Sequence, residues 1–185
     1  DETCGELMGQ LKKKGVADNT LVIYLADNGW NEFGKASPYE NGVRTPVIAH
    51  WPGTIQPRKD ERRLVTNIDV APTILTACGV TPPLSMSGIN LLDDMAVAKR
   101  DTLFLSNFAH NMVSPTEPEK SLWTRSCVHG KWKLIAWIKN PPKQRPWSRG
   151  HRHKNPGVNL ELFDLLVDPH ETKNLAEKHP EVVQD

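Results

Sequence analysis

Residues 21–46 read LVIYLADNGWNEFGKASPYENGVRTP. The segment opens on an apolar run, residues 21–26, in the branched and aromatic types that suit a buried strand. The run stops at Asp27-Asn28-Gly29. A carboxylate and a carboxamide at the carboxyl end of such a strand stand where α/β proteins place ligands. Both are hard oxygen donors, matched to Ca²⁺ or Mg²⁺ rather than to soft metals. Taken alone, the tripeptide reads first as a turn, because all three residue types favour turn geometry. Lys35 follows Gly34 and offers a compact positive charge suited to an anionic group. Tyr39-Glu40-Asn41-Gly42-Val43-Arg44-Thr45-Pro46 then leads into a second apolar strand at 47–51. The loop between the strands is longer than the ~12–15 residues beyond which structureless connections are uncommon unless functional.

Upstream, Cys4, Leu7, Met8 and Leu11 fall at i, i+3, i+4 and i+7, one apolar helical stripe. Lys12 to Lys14 lie toward its carboxyl end, and Gly15 ends it. Helix, the Asp18-Asn19 turn and strand together form half of an α/β crossover unit. Downstream, Asp69 is positioned to cap a helix over 70–77, with Pro72 in its first turn and Gly79 closing it. That role leaves Asp69 outside the site. Residues 102–106 predict another strand. From about residue 121 the pattern changes: 122–128 and 131–138 flank His129-Gly130 as a hairpin, and 160–163 gives a third strand. Asp168-Pro169 starts the final turn. Successive strands without intervening helices predict a small antiparallel sheet.

The chain has 185 residues, with Lys+Arg 23 against Asp+Glu 22 and a formal charge of +1. No global field points to nucleic acid or to a membrane surface, and no apolar run is long enough to span a bilayer. The prolines, arginines and histidines of 139–154 read as a basic exposed loop without a nucleic-acid module. Cys4, Cys78 and Cys127 have neither zinc spacing nor the look of a disulfide framework, and Cys78 is expected as a small buried thiol. The chain opens Asp-Glu-Thr-Cys and closes on what reads as a helix just beginning. A piece cut at both ends is the expectation.

D-N-G, then G-K-x-S-x-Y-E-x-G-V-R-x-P, then W-P-G resembles the second half of a sulfatase catalytic domain, in the alkaline phosphatase superfamily. The resemblance runs on through Asn67-Ile68-Asp69-Val70-Ala71-Pro72 and Ser87-Gly88-Ile89-Asn90-Leu91. It continues in Gly130-Lys131-Trp132-Lys133-Leu134-Ile135, in Glu161-Leu162-Phe163-Asp164-Leu165, and in Asp168-Pro169-His170-Glu171. It implies an alkaline-phosphatase-like α/β sandwich, with a mixed, largely parallel sheet and flanking helices, plus a small carboxyl-terminal antiparallel subdomain. Residues 1–105 would belong to the first, and 106–185 to the linker and the second.

For the chemistry, the resemblance implies Asp27 and Asn28 as two ligands of Ca²⁺, with Mg²⁺ as the other candidate, and Lys35 as the catalytic contact to the sulfate. His110 would touch substrate, with an ordinary loop histidine as the competing reading. Glu40 and Arg44 would stand behind the site; a salt bridge pinning the loop is the preferred reading of both. The family nucleophile, a formylglycine made within C/S-x-P-x-R, has no counterpart in these 185 residues: Cys4, Cys78 and Cys127 are followed by Gly-Glu-Leu-Met, Gly-Val-Thr-Pro and Val-His-Gly-Lys. The expectation is therefore the carboxyl-terminal part of a sulfuric ester hydrolase, inactive alone, whose amino-terminal half supplies the nucleophile. Its substrate would be a sulfated small molecule or glycan, which Arg145, Arg149 and Arg152 could meet as cationic partners, while His151 and His153 read as charged surface. Family habit implies a periplasmic, secreted or lysosomal location. Two rival readings are a phosphodiesterase or phosphonate hydrolase of the same superfamily, and a degenerate, non-catalytic homologue.

Overall fold

The computed structural model of the chain describes residues 2–29, 37–108, 116–117, 122–138 and 159–184. They form two compact units that do not follow chain order. One comprises Asp1–Leu25 with Pro46–Arg100, the other Ala26–Thr45 with Asp101–Asp185.

In the first unit the amphipathic stripe forms helix α1, Glu2–Lys13, and Gly15 beyond it takes φ 70, open to a residue without Cβ. The apolar runs form strands β1, Val22–Leu25, and β2, Val47–His50. They pair antiparallel, Val22 with His50 through Leu25 with Val47. This corrects two expectations. The two strands carry no parallel ladder, and β1 is not buried: Tyr24 is 49% and Leu25 39% exposed. A two-stranded ribbon cannot cover both of its own faces.

The same unit corrects the role of Asp69. Helix α3, Val70–Ala77, forms where expected, and Gly79 follows it with φ 73. The Asp69 carboxylate, however, does not cap that helix. It accepts the Thr66 and Ile89 backbone N–H groups at 2.9 Å each and takes the Arg100 guanidinium in a two-pronged pair at 2.5 and 2.8 Å. Thr73 Oγ1 donates to the Asp69 carbonyl at 2.6 Å and accepts the Leu91 N–H at 2.8 Å. Gly88 lies so close that a Cβ there would fall 2.1 Å from the Ile68 carbonyl oxygen. The Asn67-Ile68-Asp69 and Ser87-Gly88-Ile89 segments are thus two halves of one packed junction. Helix α4, Asp94–Lys99, is capped by the Asp93 side chain and contributes the buried Val97. Cys78 is exposed rather than buried, because it sits at the end of α3, past the face that packs.

The second unit holds the expected antiparallel sheet, in the order β3, Thr102–Phe108; β4, Leu122–His129; β5, Trp132–Trp137; β6, Leu160–Asp164. Each neighbouring pair is antiparallel. Gly130 makes the hairpin turn with φ 54. Asp168 orders the final turn by accepting the Thr172 and Lys173 N–H groups. Helix α5, Pro180–Gln184, follows. The alternation of β5 turns Lys133, Ile135 and Trp137 to one face, and all three are buried. Ile135, Trp137 and Phe163 make the core with Tyr39, which the chain delivers from the 26–45 segment.

Burial pushes the Asp69 carboxyl pKa up, but Arg100 and the two N–H donors more than offset this and hold it below its ordinary value. A carboxyl lowered on folding stabilises above its unfolded pKa, and that contribution is lost as pH falls through the folded value. Removing one partner of a buried pair costs about 3–5 kcal/mol. Asp69→Asn is therefore expected to lower the urea stability of the chain by about that much at pH 7. The gap from wild type should close as the pH falls below 3.8, the ordinary Asp value; a gap independent of pH would contradict the assignment.

Candidate active site

Beyond β1 the chain bends through Asp27 and Asn28 and enters a tight closure. The Gly29 N–H donates to the Gly42 carbonyl at 2.8 Å. A Cβ on Gly29 would lie 1.9 Å from the Asn41 carbonyl oxygen, so only glycine can bring these backbones together. On the far side, buried Ser37 approaches the same short helix, its hydroxyl donating to Asn41 Oδ1 at 3.4 Å. That helix, α2, spans Glu40–Val43. Residues 29 and 37 are thus both seated on one turn of helix, a frame at the two ends of the 30–36 segment. Lys35 lies in that segment, outside the described residues.

The frame is gripped from the sheet. Tyr39, 2% exposed, stacks edge-on to Phe163 at 6.2 Å and tilted to Trp137 at 6.5 Å. Its hydroxyl donates to Glu161 Oε2 at 2.8 Å, and Trp137 Nε1–H donates to the same oxygen at 2.7 Å. Glu40 is held at two points. Its backbone N–H donates to Glu171 Oε2 at 2.6 Å, and its carboxylate Oε1 receives Lys133 Nζ at 2.9 Å. Lys133 Nζ lies 2.9 Å from Glu171 Oε1 as well, and its side chain is wholly buried. Burial pushes the Glu171 carboxyl pKa up, against the lowering pull of Lys133 and the Glu40 N–H. Glu171 also adopts φ 53, a left-handed backbone rare outside glycine. The turn accepts this conformation while its carboxylate meets both Glu40 and Lys133.

Asp27 is exposed and Asn28 half-buried. The Asn28 amide Nδ2 donates to the Gly29 carbonyl at 2.7 Å, which leaves its oxygen as the group to offer a ligand. A carboxylate and an amide oxygen on adjacent residues of a braced turn are of the donor type that suits a hard divalent cation, two of the six to eight oxygens such an ion takes. Among the described residues, no group of three or more His, Cys, Asp or Glu is placed to hold a metal ion. Arg44 is exposed. A cavity of about 210 Å³ is lined by Ser37, Pro38, Gly42, Leu105, Ser106 and Phe108, among others. Phe108 precedes His110 by two residues, as Ser37 follows Lys35 by two; His110 also lies outside the described residues, as do Arg145, Arg149, His151, Arg152 and His153.

The sequence reading missed Lys133, Glu161 and Glu171. A signal was present: a lysine in phase with Ile135 and Trp137 on a strand must bring its charge into the core and find carboxylates there.

Comparison with known proteins follows the same outline. The family model described as N-sulphoglucosamine sulphohydrolase, C-terminal, matches residues 27–184. An N-acetylgalactosamine-6-O-sulfatase of Bacteroides thetaiotaomicron is 28% identical over 218 residues, covering 100% of this chain and 38% of the relative. Arylsulfatase K of Rattus norvegicus is 30% identical over 189 residues, covering 98% and 31%. The chain thus spans about a third of the length of such relatives. A structure solved in complex with its substrate D-glucosamine-2-N,6-O-disulfate superposes with a TM-score of 0.72 at 25% identity, covering 99% of this chain and 36% of that one. A second, from work on glycosaminoglycan metabolism by B. thetaiotaomicron, gives 0.72 at 26%, covering 97% and 40%. The solved relatives carry the alkaline-phosphatase-like fold expected from the sequence.

Gly29→Ala should lower the urea midpoint by the equivalent of about 1–3 kcal/mol, the usual cost of overpacking. Gly9→Ala, in α1 with open space around the new methyl, should leave it unchanged or slightly raised. Equal midpoints for the two variants would refute the closure.

Proposed function

The chain belongs to the sulfatase family, and from that premise we propose that it forms part of an enzyme hydrolysing sulfate esters of a sulfated glycan or small molecule. The observation that carries this reading is the Asp27-Asn28-Gly29 turn locked onto the Tyr39–Arg44 motif, inside the stretch that the family model matches. The relatives named for N-acetylgalactosamine-6-O-sulfate and for D-glucosamine-2-N,6-O-disulfate favour sulfated amino sugars as the substrate class.

Asp27 and Asn28 would hold a divalent cation, Ca²⁺ in the first instance and Mg²⁺ as the alternative. What such a cation supplies when bound is stabilisation of charge on the sulfate oxygens. Lys35 would bring its ammonium to the sulfate and to the oxygen that departs with the electron pair of the broken S–O bond. His110 would donate to or accept from the sugar, and Glu40 would act only by bracing. The nucleophile, a formylglycine by family resemblance, has no C/S-x-P-x-R segment in these residues to arise from.

Two consequences are measurable. The purified 185-residue chain is expected to hydrolyse no sulfate ester. In the full-length parent, Asp27→Ala and Lys35→Ala should each lower kcat/KM on a sulfated amino sugar by roughly 10²–10³, the cost of losing a preorganised charge-stabilising group. Wild-type turnover in either variant, or turnover by the isolated chain, would overturn the assignment.

A further inference from the structure

We propose that Lys133, in the middle of the carboxyl-terminal sheet, is a positioning residue for the sulfate-ester site; the inference rests on the functional reading above. Among the described residues, Glu40 is the candidate site residue that Lys133 touches. Its effect passes through the frame. Lys133 Nζ holds the Glu40 carboxylate at 2.9 Å, while Glu171, bound to the same ammonium, holds the Glu40 backbone N–H at 2.6 Å. Glu40 is the first residue of α2, whose Gly42 carbonyl receives the Gly29 N–H and whose Asn41 side chain receives Ser37. Gly29 is the residue after Asn28. One buried ammonium therefore braces the helix onto which the Asp27-Asn28-Gly29 turn is locked.

The chemistry of the cluster makes the control strict. A wholly buried ammonium must be paired, and here two carboxylates share it, so Glu40 is held by an ion pair whose cation has no access to water. Partners that orient ligands in this indirect way characteristically change metal affinity or activity about 10- to 100-fold when removed.

The test uses the full-length parent enzyme with three variants. Lys133→Met removes the ammonium. Glu40→Gln removes one carboxylate while leaving Lys133 paired with Glu171, and so covers the case in which Lys133→Met fails to fold. Leu162→Ala, at a fully buried β6 residue outside the frame, supplies a comparable destabilisation of the sheet. Three quantities are read: hydrogen exchange of the Gly29 amide, Ca²⁺ affinity by calorimetry, and kcat and KM on a sulfated amino sugar. Lys133→Met and Glu40→Gln should speed Gly29 exchange at least about tenfold and weaken Ca²⁺ binding and kcat about 10- to 100-fold, with KM changing less. Leu162→Ala should lower the melting temperature and leave all three near wild type. Unchanged Gly29 exchange in the frame variants overturns the proposal. So does faster exchange with unaltered Ca²⁺ affinity and kcat, or equal losses in Leu162→Ala. A wild-type parent that turns over no sulfate ester refutes the functional reading instead, while the exchange result still decides whether Lys133 governs the frame.

Discussion

A lysine ammonium shut away from water between two glutamates is the constraint on which the second unit depends. Desolvating Lys133 costs several kcal/mol, and only good geometry to both Glu40 and Glu171 returns it. Such a cluster adds little net stability compared with an apolar core of the same shape. Its contribution is specificity, because the arrangement that satisfies the ammonium also holds α2 and the Glu171 turn against β5. The neighbouring Tyr39–Glu161–Trp137 network works in the same way with neutral donors on a buried carboxylate. Together the two networks hold Tyr39 and Glu40 against β5 and β6.

The first unit is pinned by an equivalent device. Asp69, with no exposed surface, satisfies the backbone at Thr66 and Ile89 and takes Arg100 in a two-pronged pair. Around it the apolar side chains of β1, β2 and α3 remain largely open: Ile48 is 57% and Ile74 46% exposed. Polar specificity rather than apolar burial sets the local geometry there. In both units, the short motifs that look catalytic in sequence turn out to include backbone-clamping residues: Gly29, Glu40, Asp69, Gly88 and Glu171.

Much of the fold was legible because its signals are local. The i, i+3, i+4, i+7 stripe of α1, the His129-Gly130 turn between two alternating strands, and the Gly15 and Gly79 stops each lie within a few residues of what they determine. The failures share a cause. Glu40 and Lys133 are 93 residues apart, Glu40 and Glu171 131 apart, and Asp69 and Arg100 31 apart; no periodicity links them. Asp69 before an apolar run reads as a cap until Arg100 and Ile89 are brought beside it. The apolar composition of β1 signals a preference for burial without saying what covers it. At the site, Asp27 and Asn28 stood out as oxygen donors after a strand, whereas the grip on their frame lay in residues that single-strand patterns mark only as an inward lysine and an inward glutamate.

The central claim is that this braced turn belongs to a sulfate-ester hydrolase. It is tested most directly by the ratio of kcat/KM values of the full-length parent on a matched aryl sulfate monoester and aryl phosphodiester. A site in which Asp27 and Asn28 hold a divalent cation and Lys35 meets a sulfate predicts a ratio that favours the sulfate by about 10² or more, since charge-matched sites discriminate by what they stabilise in the transition state. A ratio that favours the phosphodiester would contradict the account and move the chain to the phosphoryl-transfer branch of the superfamily.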